Sequence, residues 1–185
     1  MTNDPTEDLP MIEIELGRIV LRPHSISAPQ YIYLREKGGD RSFPIVIGYP
    51  EATEIGRVVT GEAMERPMTH QLLHETINSL GAKVVCVDIV DVRQNTYYAR
   101  IQLEDDAGNR LASIDARPSD SIALAMRARC PLRIAENVLE AVRTDDGMDT
   151  IPGSEPIEIS PEDLEAGEAD DKGEDPELGG ESPGF

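Results

Sequence analysis

DARPSDSIALAMRARCP, residues Asp115 to Pro131, closes one element and opens another. Ahead of it, Leu111-Ala112-Ser113-Ile114-Asp115 alternates as a strand does. Arg117-Pro118 then turns the chain into strong helix formers from Ile122 to Arg129. Proline suits the first helical position, because its missing N–H would find no partner there anyway. Ser119 and Asp120 follow in the first turn, where short acceptors and negative charge suit the exposed N–H groups and the positive end of the helix dipole. Ala123, Ala125 and Ala128 are small enough for another backbone to pack closely, and Pro131 stops the helix. A carboxylate, a guanidinium and unpaired backbone donors thus fall within a few residues, a setting for phosphate. Equally open is a structural role, in which Asp115 and Asp120 cap the helix and Arg117 pairs with one of them.

Outward from that stretch, the chain reads as runs of strands with helices inserted. Met11 to Leu21 alternates as a long strand with a bend or bulge at Gly17, and Tyr31 to Arg35 is a second strand. Gly38-Gly39-Asp40 turns the chain into a third strand, Phe43 to Ile47, and Glu51 to Thr60 has helical spacing. A second Arg-Pro, in RPMTHQLLHETINSLGA, puts Pro67 at a first helical position. Leu72, Leu73, Ile77 and Leu80 form an apolar stripe behind it, closed by Gly81. Lys83 to Val92, Thr96 to Leu103 and Arg110 to Asp115 are three further strands. Leu132 to Ile134 is a short strand and Ala135 to Val142 a closing helix. The pattern predicts an α+β domain with a mixed, largely antiparallel twisted sheet. It spans 10–143, with 1–9 a disordered N-terminus and 144–185 an acidic disordered tail.

The formal charge of −19 over 185 residues is unevenly spread. Residues 151–185 hold 12 acids against Lys172 (net −11), whereas 9–144 hold 18 acids against 14 arginines and two lysines (net −2). Arginine favours bidentate contact with phosphate or carboxylate, so the near-neutral domain can still carry a local anion site. Cys86 and Cys130 form neither a disulfide framework nor a zinc site and read as thiols in a reducing compartment. The start, MTNDPTEDLP, lacks the apolar stretch of a secretory signal, and no run approaches a membrane span. The expectation is a cytoplasmic protein without a membrane partner.

His70 and His74 share a helix face at a metal-chelating spacing, but HQLLHE lacks the glutamate placement of a zinc protease. His70, beside Thr69 and Arg66 in a first turn, suits phosphate contact or general acid–base work. Asp115 and Asp120 are the acids that would hold a magnesium or manganese ion for phosphodiester hydrolysis, with Arg117 beside the departing charge. No P-loop and no G-x-S-x-G elbow is present.

DARPSDSIALAMRARCP, RPMTHQLL and the FPIVIG-YPEATEI segment together resemble the bifunctional nuclease domain family, over about Met11 to Val142. The resemblance implies a compact, often homodimeric α+β domain that cleaves both RNA and DNA with little sequence preference. The matching polar positions are Arg66, Thr69, His70, Asp115, Arg117, Ser119 and Asp120. His70, Asp115 and Asp120 would be catalytic, and Arg66, Thr69, Arg117 and Ser119 would bind substrate. The acidic tail lies outside the family pattern and would repel phosphates. The alternative is a noncatalytic regulatory or binding module whose Arg-Pro helix starts hold an anionic ligand or partner.

Overall fold

The long alternating run at the N-terminus forms a single strand, β1 (Met11–Leu21), with its pairing register shifted between Leu16 and Arg18. Gly17 sits at that bulge, where a Cβ would come within 3.2 Å of the Tyr33 carbonyl oxygen. Only a residue without a side chain fits there comfortably. In the computed structural model, residues 9–21, 29–143 and 157–159 are described.

The chain continues through β2 (Gln30–Glu36), β3 (Ser42–Ile47), α1 (Tyr49–Thr60), α2 (Thr69–Ser79), β4 (Ala82–Arg93) and β5 (Thr96–Asp105). It then forms β6 (Arg110–Ala116), α3 (Pro118–Ala128), β7 (Leu132–Ala135), α4 (Glu136–Val142) and β8 (Ile157–Ile159). The strands make one open sheet in the order β3-β2-β1-β7-β4-β5-β6, with β8 pairing on the far half of β1. Only the β4–β7 pairing is parallel among these strands, so the fold is α+β with a mixed, mostly antiparallel sheet. The late strand β7 is inserted between β1 and β4 and joins the two halves.

Period-two alternation assigns each residue to a face. Val87, Ile89, Ile101 and Ile134 point to one side, where they join Ile55, Ile122 and Leu124 in the buried core. α3 packs on this face and against both α1 and α2. The other face carries Glu13, Asp88, Arg100, Gln102, Asp115 and Arg133, by the same register. The sheet also curls. Tyr97 of β5 packs on Phe43 of β3 with ring centroids 6.1 Å apart, and its hydroxyl donates to the Pro44 carbonyl at 3.3 Å. The outermost strands β3 and β6 are those that hand the chain to α1 and α3, so curling brings the starts of these helices together.

Ala125 is 2% exposed on α3. Ala125→Leu adds three heavy atoms to a filled core, with an expected loss on the order of 1–3 kcal/mol, read as a lower urea midpoint. An unchanged midpoint would show room beside the helix.

The structure departs from the sequence pattern at α2. The helix begins at Thr69, not Pro67, because Met68 is an extended N-cap with φ −79° and ψ 172°. Its apolar stripe is only partly used. Ile77 is buried, but Leu72, Leu73 and Leu80 are exposed, since α2 meets the rest of the fold along a narrow line on α3 and β4. Ile157–Ile159, within the stretch expected to be disordered, pairs with Ile19 to Leu21 as β8. The remaining tail residues and 1–8 lie outside the described residues.

Candidate active site at three helix starts

α1, α2 and α3 each begin on an extended N-cap, Gly48, Met68 and Arg117, and none of these makes a side-chain capping bond. The first-turn N–H groups of all three helices therefore lack the usual side-chain acceptor. Pro50 and Pro118 occupy first-turn positions without a donor of their own.

Asp120 joins these starts. His70 Nε2 lies 3.1 Å from Asp120 Oδ1. Arg117 donates from Nε to Oδ2 at 2.7 Å and from Nη2 to Oδ1 at 3.0 Å. Arg117 Nη2 is also 2.9 Å from Glu51 Oε1, in the first turn of α1. The continuous chain His70–Asp120–Arg117–Glu51 thus ties α2 to α3 and α3 to α1. Arg117 keeps Nη1 without a bond to the described residues, and its side chain is largely exposed.

Burial pushes the Asp120 carboxyl upward, but the hydrogen bonds and charges of Arg117 and His70 outweigh it and hold the group below the ordinary range. Asp120 also raises the Arg117 guanidinium, with Glu51 adding to the effect. Asp120 is therefore a carboxylate at neutral pH and accepts from His70 Nε2–H, which leaves Nδ1 of neutral His70 to take a proton. The linkage has a definite sign. A carboxyl depressed in the fold stabilises above its unfolded value near ~3.9, and that contribution is lost as pH falls through the lower folded value. Wild-type protein should thus lose more stability than Asp120→Asn on acidification from about pH 5 to 2, in parallel melting curves. Equal losses would show that Asp120 is not held low.

Of the residues singled out by sequence, His70, Arg117 and Asp120 come together. Ser119 lies beside Asp120 in the first turn of α3, buried, and no described residue bonds its hydroxyl. Thr69 and Arg66 are exposed at the approach to α2. Asp115 does not join them. It pairs in register with Arg100, whereas its neighbour Ile114 pairs with core Ile101, so Asp115 points to the opposite face of the sheet. Glu51 was not singled out, although Pro50-Glu51 has the same proline-then-acid pattern as Pro118-Ser119-Asp120.

This arrangement does not match the donor set of a protein-held divalent ion. Both Asp120 oxygens are engaged by Arg117 and His70, and Asp115 faces away. Among the described residues no three His, Cys, Asp or Glu side chains form a metal-binding group. A groove of about 790 Å³ lies elsewhere and is lined by Cys86, Asp88, Gln102 and Arg133. There Asp88 accepts from both Arg133 and Gln102, and burial pushes the Cys86 thiol up to about 11, so the groove holds satisfied polar groups and an unreactive thiol. Chemistry favours the helix starts over this groove.

The model of the bifunctional nuclease domain matches residues 32–146. An uncharacterized protein of Mycobacterium tuberculosis is 40% identical over 108 residues, covering 58% of this chain and 63% of that protein. Bifunctional nuclease 2 of Oryza sativa subsp. japonica is 28% identical over 114 residues, covering 60% of this chain and 35% of the relative. Bifunctional nuclease 1 of Arabidopsis thaliana is 26% identical over 108 residues, covering 57% and 33%. The matches thus span less than two thirds of the mycobacterial relative and about a third of the plant ones.

Proposed function

Because the chain belongs to the bifunctional nuclease domain family, we propose that the three helix starts form a sequence-tolerant nuclease centre acting on RNA and DNA. The observation that carries this is the His70–Asp120–Arg117–Glu51 chain, which fixes an acid–base imidazole among uncapped helix N-termini. A phosphodiester group docks on first-turn N–H groups, on Arg117 Nη1 and on Arg66, and weak base preference follows because all these contacts are to backbone phosphate. Thr69 and Ser119 add hydroxyl donors at the same helix starts. His70 Nδ1 takes the proton of the attacking water as its oxygen bonds to phosphorus. The P–O bond to the departing oxygen then breaks, and that oxygen takes up the proton. Asp120 keeps the imidazole in the required tautomer and stabilises its charged form, as a carboxylate does beside a catalytic histidine. Asp115, on the far face, has no part in this step.

The same proposal includes a homodimer and a cytoplasmic setting. No helix of the described residues is long and apolar enough to cross a membrane. The test is cleavage of single-stranded RNA and DNA by purified protein, with and without EDTA, beside Arg117→Ala. Cleavage that survives EDTA and falls in the variant supports the centre. Loss of all activity in EDTA would show that metal is required. Saturable oligonucleotide binding without cleavage would instead make this a noncatalytic anion-binding module.

A further inference from the structure

α1 and α2 close on glycines in the left-handed region, Gly61 at φ 66° and Gly81 at φ 76°. α3 closes on Arg129 instead, at φ 51°. Glycine enters that region freely, whereas the Cβ of an arginine crowds the following carbonyl there. The backbone alone thus favours glycine at position 129. A cation at the C-terminal end of a helix suits its dipole, but Arg127 already stands in the last turn of α3. The Arg129 side chain is exposed and makes no hydrogen bond or ion pair with the described residues. An arginine at a strained backbone position, bonded to no described side chain of its own protein, is placed for a ligand.

The surroundings of Arg129 indicate which ligand. Asp120 and Arg127 lie on one face of α3, two turns apart, and His70 and His74 lie on one face of α2, one turn apart. His70 meets Asp120. Further along the same two helices, Gln71 and His74 line a groove of about 350 Å³ with Arg57, Arg127 and Arg129. Arg57 and Arg127 share one buried carboxylate: Arg127 Nε donates to Glu54 Oε1 at 2.8 Å, and Arg57 Nη1 is 3.6 Å from Glu54 Oε2. The exposed acids of the groove are engaged as well, Glu62 by Arg57 at 3.9 Å and Glu75 by Gln71 at 2.9 Å. Arg129 is the cation of this groove left over for an incoming anion.

We infer that Arg129 contacts a backbone phosphate of a single strand whose scissile group lies at His70, which makes the α2–α3 groove a second phosphate subsite. This rests on the nuclease reading proposed above. From Asp120 to Arg129 the chain rises on the order of 13 Å, at ~1.5 Å per residue. That is the length of about four stacked nucleotides at ~3.4 Å each. α2 and α3 pack on one another, so the groove between them takes one strand and not a duplex. The guanidinium meets phosphate and not a base edge, so the subsite adds affinity without sequence preference and favours long strands over short ones.

The test is fluorescence anisotropy with a labelled, nonhydrolysable single-stranded oligonucleotide of about eight nucleotides, over a range of salt. Each phosphate contact on a single strand adds ~0.7 to the slope of log affinity against log salt. Arg129→Gly should lower the slope by about that amount and weaken binding severalfold at low salt, whereas Arg129→Lys should keep both. The urea midpoint of Arg129→Gly should match or exceed that of wild type, because glycine relieves the backbone. A dinucleoside monophosphate has a single phosphodiester, which the helix starts alone engage, so its cleavage should be the same in Arg129→Gly and wild type. An unchanged slope in Arg129→Gly, with Arg117→Ala still weakening binding, would overturn the subsite and leave the centre standing. A lower urea midpoint or slower dinucleoside cleavage would assign Arg129 to the fold or to the centre instead. Loss of one phosphate contact in a chain that cleaves no substrate would keep the subsite and overturn the nuclease reading. Absence of binding by wild type at low salt would overturn both.

Discussion

His70→Gln should cut phosphodiester cleavage by about 10²–10⁴-fold, the range expected when a positioned acid–base group is lost. The glutamine amide reaches about as far as imidazole Nε2 and can still donate to Asp120, so the helix junction and the melting temperature should change little. A variant that keeps the wild-type rate would remove His70 from the mechanism. Asp120→Asn should also slow cleavage, because an amide cannot stabilise the charged imidazole as a carboxylate does.

Asp88→Ala should give the largest loss of stability, on the order of 2–4 kcal/mol. Asp88 is 6% exposed and accepts from Arg133 Nε at 2.7 Å, from Arg133 Nη2 at 3.0 Å and from Gln102 Nε2 at 3.0 Å. Removing it strands a guanidinium and an amide on the sheet face, and leaving one charge of a buried pair costs more than the pair itself contributes. Partial exposure of Arg133 places the figure below that for a fully buried pair. A second substitution, Arg133→Leu, should restore much of the loss. Cleavage per folded molecule should be unchanged, because Asp88 and the helix starts are on opposite faces. A urea midpoint equal to wild type would show that solvent replaces the lost partners.

Much of the fold was legible because alternation and punctuation agree along the chain. Met11 to Leu21 alternates over its whole length, and Gly17 marks the bulge. Pro118 and Pro131 bracket α3. Sequence does not reveal which apolar faces find a partner, and so α2 looked more buried than it is. Nor does it reveal strand order: the insertion of β7 between β1 and β4 depends on contacts remote in sequence. At the site, the helix starts and the cluster of His70, Arg117 and Asp120 followed from position in the first turn. Asp115 stands five residues from Asp120 in sequence yet apart from it in space, because alternation with Ile114 on the core side sends Asp115 to the other face. Glu51 required knowing that β3 and β6, the two ends of the sheet, curl toward each other. Ile157-Glu158-Ile159 alternates, but three residues within an acidic tail are too few to announce a strand.

Phosphate binding at the helix starts is tested most directly by an NMR titration with a short, nonhydrolysable oligonucleotide. Backbone amide shifts should concentrate at Tyr49 and Glu51, Thr69 to Gln71, and Ser119 and Asp120, with the His70 ring moving in step and Arg117→Ala weakening the response. Shifts gathered instead around Asp88, Gln102 and Arg133, with the helix starts silent, would contradict it.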